Sequence, residues 1–213
     1  MDTKFNEAYY RISELMTTLD YLGFDINDPW SIESINLPKE IGYAHGATRM
    51  VIWDKNNPDY VAKIALTVSD EKYCQKEVEL YKAAVEAGLE SHFAWCAEIY
   101  CHGEKSVYAM EYLDCDYEAM DSESYQWGYE RYCAEENLNS EDEDNKEAFE
   151  NYFWSSGACD ELVLDWFEDK LIKPIAAKFD RFIYDHDISD LHAGNVGKRG
   201  TQLVLCDYAG YGW

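Results

Sequence analysis

The sequence predicts an α+β fold of two lobes, a β-rich N-terminal lobe and a truncated, mostly helical C-terminal one. Three observations carry the prediction. Apolar residues recur at helical spacing over the first 24 residues and again from Asp160 to Asp185. Between residues 41 and 113, short β-like runs and turn clusters flank one helical segment. With 47% apolar and 15% aromatic residues among 213, the chain can bury a core despite its charge, which argues against disorder. The expected organisation is an N-terminal helix and connection over residues 1–40, an N-lobe over 41–113, and a reduced C-lobe over 114–213.

Each element has its own signal. Tyr9, Ile12, Leu15, Met16 and Leu19 make the first helical stripe, and Gly23 stops it. The Asn-, Asp- and Pro-rich stretch that follows reads as connection. Arg49 to Asp54 and Tyr60 to Thr67 read as a hairpin around "KNNPD". Ser69 then caps a helix with Val78, Tyr81, Ala84 and Val85 on one face, ending at Gly88. Short strands follow around Glu98–Cys101 and Ser106–Tyr112. From 111 to 161 carboxylates dominate against only Arg131 and Lys146, and "NSEDEDNKE" reads as a solvated loop or a helix start capped by Ser140. Tyr125, Trp127, Tyr129 and Tyr132 interrupt this insert and favour order. Leu162, Trp166, Ile172, Ile175, Phe179, Phe182 and Ile183 form a second stripe that Pro174 kinks or splits. A hairpin, "VGKRGTQLVLC", leads to Asp207.

Composition narrows the function. A net charge of −25 repels nucleic acid phosphates and favours a basic partner, although solubility alone would also account for it. No apolar run reaches membrane-spanning length, and the polar N-terminus lacks the pattern of a signal peptide, so no membrane association and a cytoplasmic location are expected. Seven cysteines without a CxxC pair point to reduced, partly buried thiols. No pair of histidines has the helical spacing of a zinc site.

The chemistry-bearing residues fall into two groups. Asp190 and Asn195 lie five apart across a turn, and the hairpin after them brings Asp207 back, so oxygen donors suited to Mg²⁺ converge. Lys63 stands in the otherwise apolar "YVAKIAL" and needs an anion, which Glu77 in the next helix can supply.

These pieces resemble the protein-kinase superfamily. "DLHAGN" fits the catalytic-loop pattern with Asp190, Leu191 and Asn195, and "YVAKIAL" approaches V-A-I-K with Lys63. Glu77 in "EVELY" resembles the helix C glutamate. "YAMEYLD" resembles gatekeeper and hinge, Met110 followed by Glu111 to Leu113, and "LCDYAG" resembles D-F-G with Asp207. The resemblance runs in order from Ile41 to Gly210 and implies a protein-kinase-like fold that binds ATP and Mg²⁺. It implies that Lys63, paired with Glu77, grips the α/β-phosphates, that Asn195 and Asp207 hold the metals, and that Asp190 accepts the proton of the attacking hydroxyl.

The departures shape the expectation. "IGYAHGAT" keeps Gly42 and Gly46 for the phosphate loop but has Ala44 and Ala47 where a strict pattern needs glycine. Ile188 and Ser189 replace the His-Arg before the catalytic Asp, so switching by a phosphorylated activation loop is not expected. Six residues follow Asp207, so no activation segment is expected, and in this the chain resembles small phage-encoded serine/threonine kinases. The expected function is therefore a minimal serine/threonine kinase acting on host proteins, basic ones for preference, in the host cytoplasm. His192 also matches aminoglycoside- and choline-type small-molecule kinases, and the charge admits an acidic, DNA-mimic-like binding protein on a kinase-like scaffold.

Overall fold

The computed structural model describes residues 3–113, 115–155, 159–189 and 191–209. The chain is α+β and separates into two compact units, with the division between Tyr112 and Leu113. Among the described residues no helix is long and apolar enough to cross a membrane.

The first unit is built on an antiparallel sheet of β1 (Ile41–His45), β2 (Arg49–Asp54), β3 (Tyr60–Ala65), β4 (Cys96–His102) and β5 (Lys105–Glu111), in the spatial order β1-β2-β3-β5-β4. Strand β1 is an addition to the sequence expectation. "IGYAH" has little apolar alternation of its own and becomes a strand by pairing with β2, Ile41 opposite Asp54 through His45 opposite Met50. Side chains alternate across a strand, and the register aligns the alternation between neighbours. Met50, Ile52, Ala62 and Ile64 therefore share one face, while Val51 and Lys63, directly opposite each other, share the other.

The first of these faces is covered by α1 (Thr3–Tyr21), whose Ala8, Ile12, Leu15, Met16 and Leu19 join the strands in one core cluster. Tyr9, expected in that stripe, is about half exposed, and Ala8 takes the inward position because a small side chain lets the helix lie close. Full burial of Ile12 or Leu19 contributes roughly 1.5–3 kcal/mol each. The connection after α1 is not a passive linker: Phe24, Ile26 and Ile32 are buried in the same cluster around a short 3₁₀ turn, Pro29–Ser34.

The opposite face carries α2 (Glu71–Glu86). Its start differs from expectation. Thr67 rather than Ser69 opens the preceding turn, its N–H and hydroxyl donating to Asp70 at 3.0 and 2.6 Å. Val85 is exposed, and Cys74, Glu77, Val78, Leu80 and Ala84 form the buried side.

The second unit contains α3 (Tyr117–Glu135), α4 (Glu143–Ser155), α5 (Cys159–Asp169), α6 (Lys173–Asp185) and a hairpin, β6 (Val196–Arg199) with β7 (Gln202–Leu205). The acidic insert is ordered, as its aromatics favoured, and folds as α3 and α4 with a short connection between them. Phe149 of α4 meets Tyr125, Tyr129 and Tyr132 of α3 at 5.3, 5.6 and 5.5 Å between ring centroids. The carboxylates stay on the outside, and the Tyr129 hydroxyl donates to the Ser140 carbonyl at 3.0 Å, closing the connection. That connection is exposed, but Ser140 is no cap: Asp142 accepts the Asp144 N–H at 3.1 Å at the start of α4. Where α3 meets α5, a Cβ on Gly128 would lie 2.4 Å from a Leu162 methyl, so glycine permits the crossing.

Pro174 sits in the first turn of α6, where its missing N–H costs nothing, so the long stripe is split into two helices. Phe167 stacks on Phe179 across them at 4.8 Å. Ile172, counted in the stripe from sequence, lies in the break and is exposed.

One carboxylate in this region is unsettled. Glu168 of α5 has its Oε1 buried with no hydrogen-bond partner among the described residues. Burial, then the charges of Asp180 and Asp165, push its carboxyl from an ordinary 4.5 up to about 7. The fold thus binds this proton more tightly than the unfolded chain, so this group's contribution to stability is fully present below about 4.5 and is lost as pH rises through about 7. Glu168→Gln is expected to remove that dependence. At neutral pH and above the variant should be more stable by about 1 kcal/mol, a figure discounted because the residue as a whole is only partly buried, with no difference in acid. Thermal unfolding across pH checks this.

Candidate functional site

Every residue of β3 is buried, Lys63 included, so its ammonium must find an anion inside the protein. Glu77, one of the inward positions of α2, provides it: Lys63 Nζ lies 2.8 Å from Glu77 Oε1, with both side chains nearly inaccessible. The strand lysine and helix glutamate paired in the sequence reading are thus together. Lys63 Nζ also lies 3.7 Å from the sulfur of Met110 on β5.

A third member escaped the sequence reading. Arg49, the first residue of β2, places Nη1 3.2 Å from the same Glu77 oxygen, and its side chain is only 4% exposed. The signal was present in "ATRMVIW": Arg49 and Val51 alternate with Met50 and Ile52, and Val51 is opposite Lys63. Arginine at that position must be on the lysine's face. Nothing in the sequence, however, fixes the register that makes the two cations neighbours.

The carboxylate is therefore held by two cations from adjacent strands. Such a cluster offsets a desolvation cost of several kcal/mol per ion only because its charges compensate one another. A second buried carboxylate, Glu71 at the start of α2, accepts from the Tyr108 hydroxyl at 2.6 Å and the Ser106 N–H at 3.0 Å on β5. Burial, then the bond and the charge of Glu71, keep the Tyr108 phenol protonated well above its ordinary range. Cys74, between the two glutamates, has its thiol pushed up to about 12 by burial and next by Glu77. Helix α2 is thus tied to the sheet at two levels, by Glu71 to β5 and by Glu77 to β2 and β3.

The expected nucleotide-contacting residues are distributed as follows. Met110 is buried on β5, opposite Val61 and Cys96. The Glu111 N–H donates to the Trp95 carbonyl at 2.8 Å, and the Tyr112 N–H to Asp59 at 3.0 Å, so both are used by the sheet. Leu113 is buried, and its N–H makes no hydrogen bond among the described residues. The Glu111 side chain is turned to its own unit, with Lys4 at 3.1 Å. Gly42 lies in β1 opposite Trp53, and a Cβ there would be 2.5 Å from the indole. Packing therefore gives this glycine a reason of its own. Gly46 is in the exposed β1–β2 turn, its N–H donating to the Arg49 carbonyl at 2.9 Å.

In the second unit, Asn195 ends a short turn, Ala193–Asn195, and is buried. The Cys206 N–H donates to the Asn195 carbonyl at 2.9 Å, so the β6–β7 hairpin brings the residue before Asp207 directly against Asn195. A side-chain amide and a carboxylate at one hairpin end are hard oxygen donors of the kind Mg²⁺ takes. His192 caps this turn, its Nδ1 accepting the Gly194 N–H at 3.0 Å. That bond requires Nδ1 unprotonated, so a neutral ring carries its proton on Nε2. Asp190 lies outside the described residues.

Comparison with protein-family models, with curated proteins and with solved structures finds no match. What the described residues define is a class: an α+β chain of two units, with a buried Lys–Glu–Arg cluster in the first and an Asn–Asp hairpin corner in the second.

Proposed function

We propose that this chain is an ATP- and Mg²⁺-dependent phosphotransferase, a minimal serine/threonine protein kinase of phage type acting on host proteins. The observation that carries the reading is the buried Lys63–Glu77 pair joining β3 to the helix that follows it. A lysine costs free energy in such a strand, and phosphate neutralisation gives it a use that packing does not. The strand order β1-β2-β3-β5-β4, with α2 between β3 and β4, supports a kinase-like N-lobe. The Asn195–Asp207 corner supports a metal-holding role, in which Mg²⁺ would supply charge neutralisation for the transferred phosphoryl group. Leu113, three residues after Met110, has an N–H suited to the adenine edge. In this reading Lys63 holds the phosphates and Asp190 orients the attacking hydroxyl and accepts its proton. The acidic surface favours encounter with basic substrates.

The test is transfer of label from γ-labelled ATP with Mg²⁺ into a cell lysate, beside a folded Asp190→Asn variant. The expected result is labelled protein bands with the wild type alone. Label confined to small molecules would make the chain an aminoglycoside- or choline-type kinase. Absence of transfer from both proteins, together with capture of basic proteins, would make it an acidic binding protein.

A further inference from the structure

Within the second unit, Cys115 and Cys206 are 91 positions apart in sequence, yet their sulfurs are 3.0 Å apart. Both are partly exposed, unlike the buried Cys74, Cys96 and Cys133. A disulfide bond is about 2.05 Å long, so the sulfurs need to approach by only about 1 Å. The surrounding elements already hold them. Cys115 immediately precedes Asp116, whose carboxylate caps α3 by accepting the Ala119 N–H at 3.1 Å. Cys206 is fixed by its N–H bond of 2.9 Å to Asn195. Lys198 of β6 pairs with Glu123 of α3 at 2.5 Å, keeping helix and hairpin together. The crosslink would therefore join elements that touch without it, which limits the strain that makes many introduced disulfides ineffective.

We propose that Cys115 and Cys206 are a reversible oxidation site, forming an intramolecular disulfide when the protein meets a peroxide. The chemistry balances with hydrogen peroxide as oxidant. One thiolate takes an oxygen from the peroxide to give a sulfenic acid, and hydroxide leaves as water after taking up a proton. The second thiolate then attacks that sulfur, the S–S bond forms, and the sulfenic oxygen departs as a second water. Two thiols are oxidised and one peroxide is reduced to two waters. A thiol reductant reverses the bond by exchange. In a reducing compartment such a pair is a transient sensor rather than a structural staple. The bond would anchor the residue beside Asp207 to the start of α3.

The proposal does not rest on the phosphotransferase reading, and its test needs no activity. The reduced full-length chain is treated with stoichiometric hydrogen peroxide, alkylated, and mapped by mass without reduction. The expected result is a peptide pair linked through Cys115 and Cys206, formed before the exposed Cys101 is oxidised. The linked protein should also unfold at a higher temperature than the reduced one and return to the lower value with dithiothreitol. Cys115→Ser and Cys206→Ser should each abolish the linkage and the shift. If both thiols still alkylate after Cys101 has been oxidised, or if the linkage found joins other cysteines or two chains, the proposal is overturned.

Discussion

Glu77→Ala is expected to cost about 3–5 kcal/mol of stability, because it removes a buried carboxylate that Lys63 and Arg49 share and so breaks a buried ion cluster. For a domain of this size that is a large part of the whole. Denaturant unfolding should show the loss as a fall in midpoint without a comparable change in slope. The same physics makes a second outcome specific. Replacing all three residues together, Glu77, Arg49 and Lys63, by methionine should recover most of the loss, since a packed apolar layer has no charge to desolvate. A triple variant as unstable as Glu77→Ala would show that the cluster's value lies in its shape and not in its charge balance.

Lys63→Met is expected to reduce Mg²⁺-dependent phosphoryl transfer by about 10²–10³-fold while the protein stays folded. Arg49 is what makes this variant informative. With the ammonium gone, Glu77 retains a guanidinium 3.2 Å away, so the variant removes the cation that the proposed function assigns to the phosphates while the carboxylate keeps a cation beside it. Arg49→Met is the matching control: a similar fall in stability with a smaller fall in transfer. Steady-state transfer rates, read beside the unfolding midpoints of both variants, check the prediction. Equal losses of transfer would mean that the arginine serves the phosphates as well, and an unimpaired Lys63→Met would remove the basis of the phosphotransferase reading.

Much of the candidate site was legible because it rests on local signals. A lysine within an apolar strand and a glutamate on the inward face of the next helix are visible as periodicity plus one misfit charge, and the structure brings Lys63 and Glu77 together. The hairpin that returns the chain from Asn195 toward Asp207 was readable from "VGKRGTQLVLC", but its turn is tighter than the "GKRGT" the sequence suggests: Gly197 to Arg199 pair within β6, leaving Gly200 and Thr201 between the strands. Arg49 was not found. Its role depends on β2 and β3 pairing with Val51 opposite Lys63, and register is a property of two strands, not of either one. The acidic insert was legible only in part for a related reason. Its aromatics signalled order, but which of them meet, Phe149 with Tyr125, Tyr129 and Tyr132, is decided only when α3 and α4 pack.

The sequence by itself determined the α+β class, the helices α1, α2 and α6, and the pairing available to Lys63 and Glu77, since these follow from the spacing and type of neighbouring residues. Only the tertiary structure decided that α1 covers one sheet face while α2 seals the charge cluster on the other, that β1 is a strand, and that Cys115 meets Cys206. Local patterns constrain torsions and faces over a few residues. Which faces then meet is set by burying the most apolar surface while satisfying every buried charge, a condition that exists only for the whole chain.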